Sequence, residues 1–226
     1  MKVAIIVAMS KELQLLLPLI EDASAVSINN FTYHTGRLGR HEVVAVQCGI
    51  GKVNAAVSTL TLIEHFHPSL VINTGVAGGT GHGARILDVV IGSKIAYHDC
   101  WCGPGTDWGQ AAGYPRFFES VPEIASLPVL TLNPRVRHGL IASGDIFVSR
   151  EEDVKRIMAL YPDAIAVDME SAAIAQVCSL KNVPFFVMRV VSDTPGADDN
   201  ISQYENFWDD APRSTFDLLT DILNVI

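Results

Sequence analysis

The sequence predicts an α/β fold: a single-domain, three-layer sandwich over residues 1–226, with a mixed, largely parallel central sheet flanked by helices. Three observations carry this expectation. Apolar runs of strand length alternate with helix-patterned segments along most of the chain. Three of those runs end in acidic residues, and open α/β sheets place ligand-binding groups at the carboxyl ends of their strands. The chain of 226 residues is 49% hydrophobic, with no linker, repeat or low-complexity segment to divide its core.

The elements follow in order. Lys2–Ala8 reads as a buried strand. Ser10 is placed to N-cap a helix through about Ile20, with Leu13, Leu16 and Leu17 on one face. Phe31–Leu38 and His41–Cys48 form a hairpin around Gly39, and Lys52–His65 is an alanine-rich helix. Leu70–Asn73 is a short buried strand ending at a glycine cluster, and Leu87–His98 is another strand. Residues 99–118 are a long irregular insert carrying Trp101, Trp108, Tyr114, Phe117 and Phe118. Arg137–Ala142 is a strand and Arg150–Leu160 a helix. A strand ending at Val167, a helix Met169–Leu180, a strand Pro184–Val191 and a closing helix from about Gln203 to Val225 complete the chain.

Composition narrows the function. A net charge of −9 argues against nucleic-acid polymers, which need a basic surface, but is compatible with a neutral nucleoside. No apolar run reaches membrane-spanning length, and the N-terminus is patterned as strand then helix rather than as a signal peptide. Cys48, Cys100, Cys102 and Cys178 are therefore expected as reduced thiols of a cytoplasmic protein.

The chemistry concentrates in AVDMESAA (166–173), where Asp168 and Glu170 flank Met169 between a strand and a helix. A second strand ends at Ser192-Asp193-Thr194-Pro195, and the first ends at Met9-Ser10-Lys11-Glu12. Carboxylates delivered by three strands to one edge point to acid/base chemistry on a small molecule. Each acid alone has a structural explanation: Glu12 and Glu170 as first-turn acids facing a helix dipole, Asp193 as a turn cap before Pro195. Their joint occurrence favours the chemical reading.

Two glycine clusters, Gly49-Ile50-Gly51 and Gly75-Val76-Ala77-Gly78-Gly79, fit neither a dinucleotide fingerprint nor a phosphate loop. They mark either tight turns needing positive φ or a close backbone approach to a ligand. The run His98-Asp99-Cys100-Trp101-Cys102 would put residues 98, 100 and 102 on one face if extended. It lacks the CxxC or HxxxH spacing of a metal site, and half-buried thiols at a strand end are the expectation.

Seven segments carry a family resemblance: IIVAMSKE (5–12), CGIGKVNAA (48–56), VINTGVAGG (71–79), ARILDVVIGSKIAYHD (84–99), GLIASGDIF (139–147), AIAVDMESAAIAQVC (164–178) and VPFFVMRVVSD (183–193). In this order they closely resemble bacterial methylthioadenosine/S-adenosylhomocysteine nucleosidases, of the nucleoside phosphorylase superfamily. The resemblance implies a nucleoside phosphorylase-like fold and hydrolysis of the bond between purine N9 and ribose C1′, without metal or organic cofactor. It implies that Asp193 protonates adenine N7, that Glu12 activates water, and that Glu170 binds the ribose hydroxyls, with Met169 on the ribose face. Phe147 and the Val148 backbone would contact adenine, Ser192 and Arg189 would support the Asp193 loop, and Met9, Ile50 and Tyr204 would border the 5′-thio group. Gly75 and Val76 would belong to the pocket wall. It further implies a homodimer with loop 99–118 at the interface, residues 99–110 reaching into the neighbouring pocket.

A glutamate at position 12, where a phosphorylase would bind phosphate, favours water as nucleophile. The chain departs from the family pattern at Val76, where a serine is usual, and at Asp168, where a glutamate is usual. Residues 99–118 and 194–206 diverge most. The alternatives are a hydrolase of another purine nucleoside such as futalosine, a purine nucleoside phosphorylase, and a non-catalytic nucleoside-binding protein.

Overall fold

The structure is a computed structural model; it describes the backbone of residues 1–210 and 212–226 and the side chains outside 209–215. The strands are β1 (Lys2–Val7), β2 (Glu21–Ile28), β3 (Phe31–Leu38), β4 (His41–Gln47), β5 (Leu70–Gly79), β6 (Val89–Tyr97), β7 (Phe118–Glu119), β8 (Val136–Ser143), β9 (Ala164–Asp168) and β10 (Phe185–Asp193). The helices are α1 (Ser10–Leu16), α2 (Lys52–Phe66), α3 (Pro122–Ala125), α4 (Pro128–Thr131), α5 (Glu151–Leu160), α6 (Ser171–Lys181), α7 (Asn200–Asp210) and α8 (Pro212–Val225).

All strands join one mixed sheet in the order β10-β6-β8-β9-β5-β1-β4-β3-β2, with β7 beside β6. A further β10–β5 pairing closes β5, β9, β8, β6 and β10 into a ring, from which β1, β4, β3 and β2 extend. Parallel pairings join β1 to β4 and β5, β10 to β5, β6 to β8, and β8 to β9. The other pairings are antiparallel.

The core lies on both faces of the sheet. Leu62 and Ile63 of α2 and Ile174 and Cys178 of α6 pack with Ile6, Val46 and Val187 on one face. Leu16 of α1 and Leu219, Ile222 and Leu223 of α8 pack with Ile5, Ile72 and Phe186 on the other. Burying such side chains contributes roughly 1.5–3 kcal/mol each. Ile157 of α5 and Tyr161, at its C-cap, close a third cluster against β8 and β9. This is the expected sheet flanked by helices.

Several local expectations change. Ser10 is the first residue of α1 rather than its cap; Met9 stands at the N-cap, and the helix stops at Leu16 before a 3-10 turn, Leu17–Leu19, containing Pro18. Proline lacks the N–H that the next helical turn would need. Strand β5 continues through the glycines to Gly79, because β10 and β9 pair along it. The expected closing helix is present as α7 and α8, with residue 211 outside the described residues. The exposed edge strand β2 carries no apolar alternation and was not anticipated.

Topology also corrects how the acids meet. β9 runs antiparallel to β5 and touches it only at Gly78↔Val167 and Gly79↔Ala166, so the two strands meet at their carboxyl tips. Asp168 and Glu170 therefore approach from the direction opposite to Glu12 and Asp193. The acids converge at a junction inside the sheet, not along one parallel edge.

Candidate active site

A cleft enclosing about 600 Å³, part of it open to solvent, lies at this junction. Of the residues expected there, Met9, Glu12, Ile50, Val76, Phe147, Val148, Asp168, Met169, Glu170, Ser192, Asp193 and Tyr204 line it. Gly75 and Arg189 do not. The cleft is also lined by Ala8, Ala77, Gly78, Ile146, Val167 and Pro195, apolar positions without chemical signal in the sequence.

Glu12 is 2% exposed. It sits at the third position of α1 and its side chain turns back over the helix start. Oε2 accepts from the backbone N–H of Ala8 (2.8 Å) and Met9 (2.9 Å), and Oε1 accepts from that of Val76 (3.0 Å). Glu12 thus supplies the helix-start acceptor that Ser10 was expected to provide. Burial pushes its pKa up, against Arg189 and the three backbone donors.

Gly75 explains the second glycine cluster. Its φ is +146°, and a Cβ there would collide with Glu12 Oε1 and lie 2.7 Å from Arg189 Nη1. The close approach is made by the protein's own carboxylate and guanidinium, from within a strand. In the first cluster, Gly49 (φ +85°) and Gly51 (φ +95°) bend the chain into α2. That bend aims the Gly51 N–H at Glu170 Oε1, 3.0 Å away.

Glu170 stands at the N-cap of α6 and is buried. Its Oε2 is 3.7 Å from Arg189 Nη2. Burial raises its pKa to about 7, with Arg189 opposing and Asp168 adding to the rise. Asp168 faces Arg189 directly: Nε donates to Oδ2 at 2.8 Å and Nη2 lies 2.7 Å from the same oxygen. The Ser171 hydroxyl packs against the same carboxylate.

Arg189 was expected to support the Asp193 loop and does not. Its guanidinium is wholly buried behind the other acids, donating also to Thr74 O (3.1 Å) and Asn73 Oδ1 (2.7 Å). Burial works against its charge, but Asp168, Glu170 and Glu12 more than offset this and hold its pKa above the ordinary value.

Asp193, 3% exposed, is held instead by Ser192 and Asn200. Ser192 Oγ donates to Oδ1 at 2.6 Å, and Asn200 Nδ2 donates to Oδ2. Burial raises the Asp193 pKa against these two hydrogen bonds. Asn200 was missed, because nothing in the polar stretch Thr194–Asn200 distinguishes it. Val76 turns an apolar side chain to the cleft, and only its backbone N–H serves an acid.

Apolar groups form the mouth. Tyr204 O–H donates to Met9 Sδ at 3.1 Å, and its ring meets Phe147 edge-on at 5.5 Å. Phe147 and Ile50 are about half exposed. In the insert, Trp101 and Trp108 stack on each other at 5.3 Å and are exposed, whereas Phe118 is buried and Phe117 packs on Tyr161. Strand β6 ends at Tyr97, so residues 98, 100 and 102 do not continue a strand face: His98 is buried, Cys100 half-buried and Cys102 exposed. Among the described residues no cluster of His, Cys, Asp and Glu could hold a metal ion. No helix among them is long and apolar enough to cross a membrane.

A cleft with four buried acids, two of them backed by one buried arginine, can hold a proton on one carboxyl while presenting negative charge from another. Comparison with known proteins gives the family. The Phosphorylase superfamily model matches residues 2–224. A 5'-methylthioadenosine/S-adenosylhomocysteine nucleosidase from Geobacillus sp. (strain WCH70) is 39% identical over 229 residues, 99% of this chain and 98% of the relative. The crystal structure of an S-adenosylhomocysteine nucleosidase from Streptococcus pyogenes, in complex with 5-methylthiotubericidin, superposes with a TM-score of 0.95 at 37% identity, covering 100% of this chain and 98% of that one. A futalosine hydrolase mutant from Helicobacter pylori shares the fold alone, with a TM-score of 0.92 at 24% identity over 100% of this chain and 99% of that one. By this likeness over nearly its full length, the chain belongs to the 5'-methylthioadenosine/S-adenosylhomocysteine nucleosidases of the phosphorylase superfamily and is an N-glycosidic hydrolase.

Proposed function

We propose that this enzyme, acting as one catalytic domain, hydrolyses 5′-methylthioadenosine and S-adenosylhomocysteine to adenine and the corresponding thioribose. The observation that carries this reading is the charge of the cleft. Glu12, Asp168, Glu170 and Asp193 line it, and among the described residues no lysine, arginine or histidine does. A phosphate dianion would find no compensating cation among the described residues there, whereas water and a neutral nucleoside need none.

In the proposed mechanism Asp193 donates its proton to adenine N7 as the C1′–N9 bond breaks, and the bonding electrons leave with the purine. Positive charge develops at C1′ and O4′ of the ribose, near the Glu170 carboxylate. Such a field is strongest in a dry site. Water adds to C1′ and loses its proton to Glu12, completing the balance. The acid and the base would act from opposite sides of the anomeric carbon, the logic of inverting glycosidases. The raised pKa of Asp193 supports its holding a proton before the reaction. Met169 would line the ribose face, Phe147 and the Val148 backbone would contact adenine, and Met9, Ile50 and Tyr204 would enclose the 5′ substituent.

The deciding experiment is incubation with methylthioadenosine, with and without phosphate, and identification of the sugar. Free methylthioribose at the same rate in both is expected. A sugar 1-phosphate would overturn the hydrolytic reading, and absence of free adenine would overturn turnover of this substrate.

The same reading includes a homodimer. Val53, Val57 and Leu60 form an exposed apolar stripe on α2, whose start borders the cleft, and Trp101 and Trp108 add exposed aromatic surface. Apolar patches of this kind fit a protein partner, here a second copy of the chain. Light scattering that found a fully active monomer at assay concentration would defeat it.

A further inference from the structure

Asn200 opens α7 seven residues beyond Asp193 and is 2% exposed. It does not line the cleft; it stands behind the acid, with Nδ2 donating to Asp193 Oδ2. Its own Oδ1 is buried and has no partner among the described residues. The first turn of α7 also binds the loop after the acid, since Gln203 Oε1 accepts from the Thr194 N–H at 2.8 Å. One residue further, Tyr204 forms part of the cleft wall.

We propose that Asn200 is the positioning residue of the general acid, holding the Asp193 carboxyl plane in both of its protonation states and tying it to the seating of α7. This rests on the reading of Asp193 as the acid. The argument is one of side-chain inventory. Ionised, Asp193 needs donors on both oxygens, and Ser192 and Asn200 Nδ2 supply them. Protonated, it needs an acceptor for its O–H until substrate arrives. An amide carries both functions on one fork, and a turn of the Asn200 amide would present its unpartnered Oδ1 to the Asp193 proton. A lysine would serve only the ionised form, and a leucine neither.

The groups facing Asp193 make the effect separable. Tyr204 faces it from α7, Glu12 lines the same cleft from α1, and Glu170 lines it at the start of α6. Among the described residues no cation lines the cleft to dominate its titration.

The test is the pH profile of adenine release from methylthioadenosine by wild type, Asn200→Leu and Asn200→Asp. Both variants remove the donor to the ionised carboxylate, so the basic limb of kcat/KM should move up by about one pH unit or more. At the plateau kcat should fall about tenfold while KM changes less than about threefold, because Asn200 does not line the cleft. A purely structural role would lower the melting temperature and leave the limb in place. Folded variants with a wild-type limb and kcat would overturn the proposal. Should neither variant fold, the side-chain amide resonances of Asn200 in the wild-type protein decide. They should titrate with the midpoint of the basic limb, and a flat response would overturn the proposal. Failure of the wild type to release adenine would count against the substrate reading instead, and the amide titration would still test the contact.

Discussion

Arg189 Nη2 lies 2.7 Å from Asp168 Oδ2, and the two side chains are 1% and 2% exposed. This is a buried ion pair, not an exposed one. The same guanidinium lies 3.7 Å from Glu170 and against Gly75 beside Glu12. Removing one partner leaves an uncompensated charge in the core. Arg189→Met and Asp168→Asn are each expected to destabilise the fold by about 3–5 kcal/mol. The double variant should lose less than the sum. Urea denaturation of the four proteins checks this, and additive losses would mean that the pair is not coupled.

Arg189 also shows where the sequence stops being legible. The family resemblance put Arg189 with Asp193, and residues four apart in a regular strand would indeed share a face. The strand is not regular. Arg189 pairs with Gly75 and Asp193 with Gly78, and the register shifts between Val191 and Asp193. This bulge changes the parity and turns Arg189 toward Asp168. Glu12, Asp168, Glu170 and Asp193 were legible because each ends an apolar run. Asn200 and Ser171 were not, since their roles depend on contacts across folded elements. The edge strand β2 was hidden for a different reason: EDASAVSI is exposed along nearly all its length, so burial imposes no period on it.

Gly75 should tolerate no side chain. An added Cβ would strike the Glu12 carboxylate, which three backbone N–H groups hold in place. The left-handed φ of +146° adds backbone strain. Gly75→Ala is expected to lower kcat by at least tenfold, about 1.4 kcal/mol in the barrier, with binding of a non-hydrolysable nucleoside analogue retained. A variant with wild-type kcat would show that Glu12 need not stay where it is.

The roles of the acid and the base separate in two variants. Asp193→Asn keeps the shape and removes the transferable proton, so kcat should fall by about 10²–10⁴-fold, the usual contribution of general acid catalysis. Glu12→Gln should likewise abolish turnover yet leave nucleoside binding measurable by calorimetry. Near wild-type turnover in a folded Asp193→Asn protein would remove Asp193 from the mechanism.

Glu170 gives activity and stability opposite pH slopes. Its pKa stands at about 7 in the folded protein against 4.5 for the free side chain. Between those values the folded state holds a proton that the unfolded state has lost. Its contribution to stability is therefore complete below about pH 4.5 and fades as pH rises through about 7. In the proposed mechanism ionised Glu170 is the form that stabilises the sugar cation, so kcat should rise over the same interval. Comparison with Glu170→Gln isolates the term: the melting temperature of the variant should lack this downward slope with pH. Parallel slopes in the two proteins would show that Glu170 does not titrate in this window.

The 5′ end of the proposed substrate meets Met9, Ile50 and Tyr204, with Phe147 packed on the tyrosine. Among the described residues no cationic side chain lines the cleft, and four acids do. A 5′-phosphate would therefore lose its hydration and gain only repulsion. A methylthio group loses little on leaving water and contacts a thioether and an aromatic ring. Each further methylene on an alkylthio chain should add up to about 0.8 kcal/mol until the apolar mouth is filled. The expected order of kcat/KM is methylthioadenosine above adenosine, with adenosine monophosphate nearly inert, all measured under one condition. Adenosine monophosphate equal to or better than methylthioadenosine would end the assignment of this pocket. The proposed N-glycosidic chemistry would survive that result, because it rests on Glu12, Glu170 and Asp193 and not on what the 5′ carbon carries.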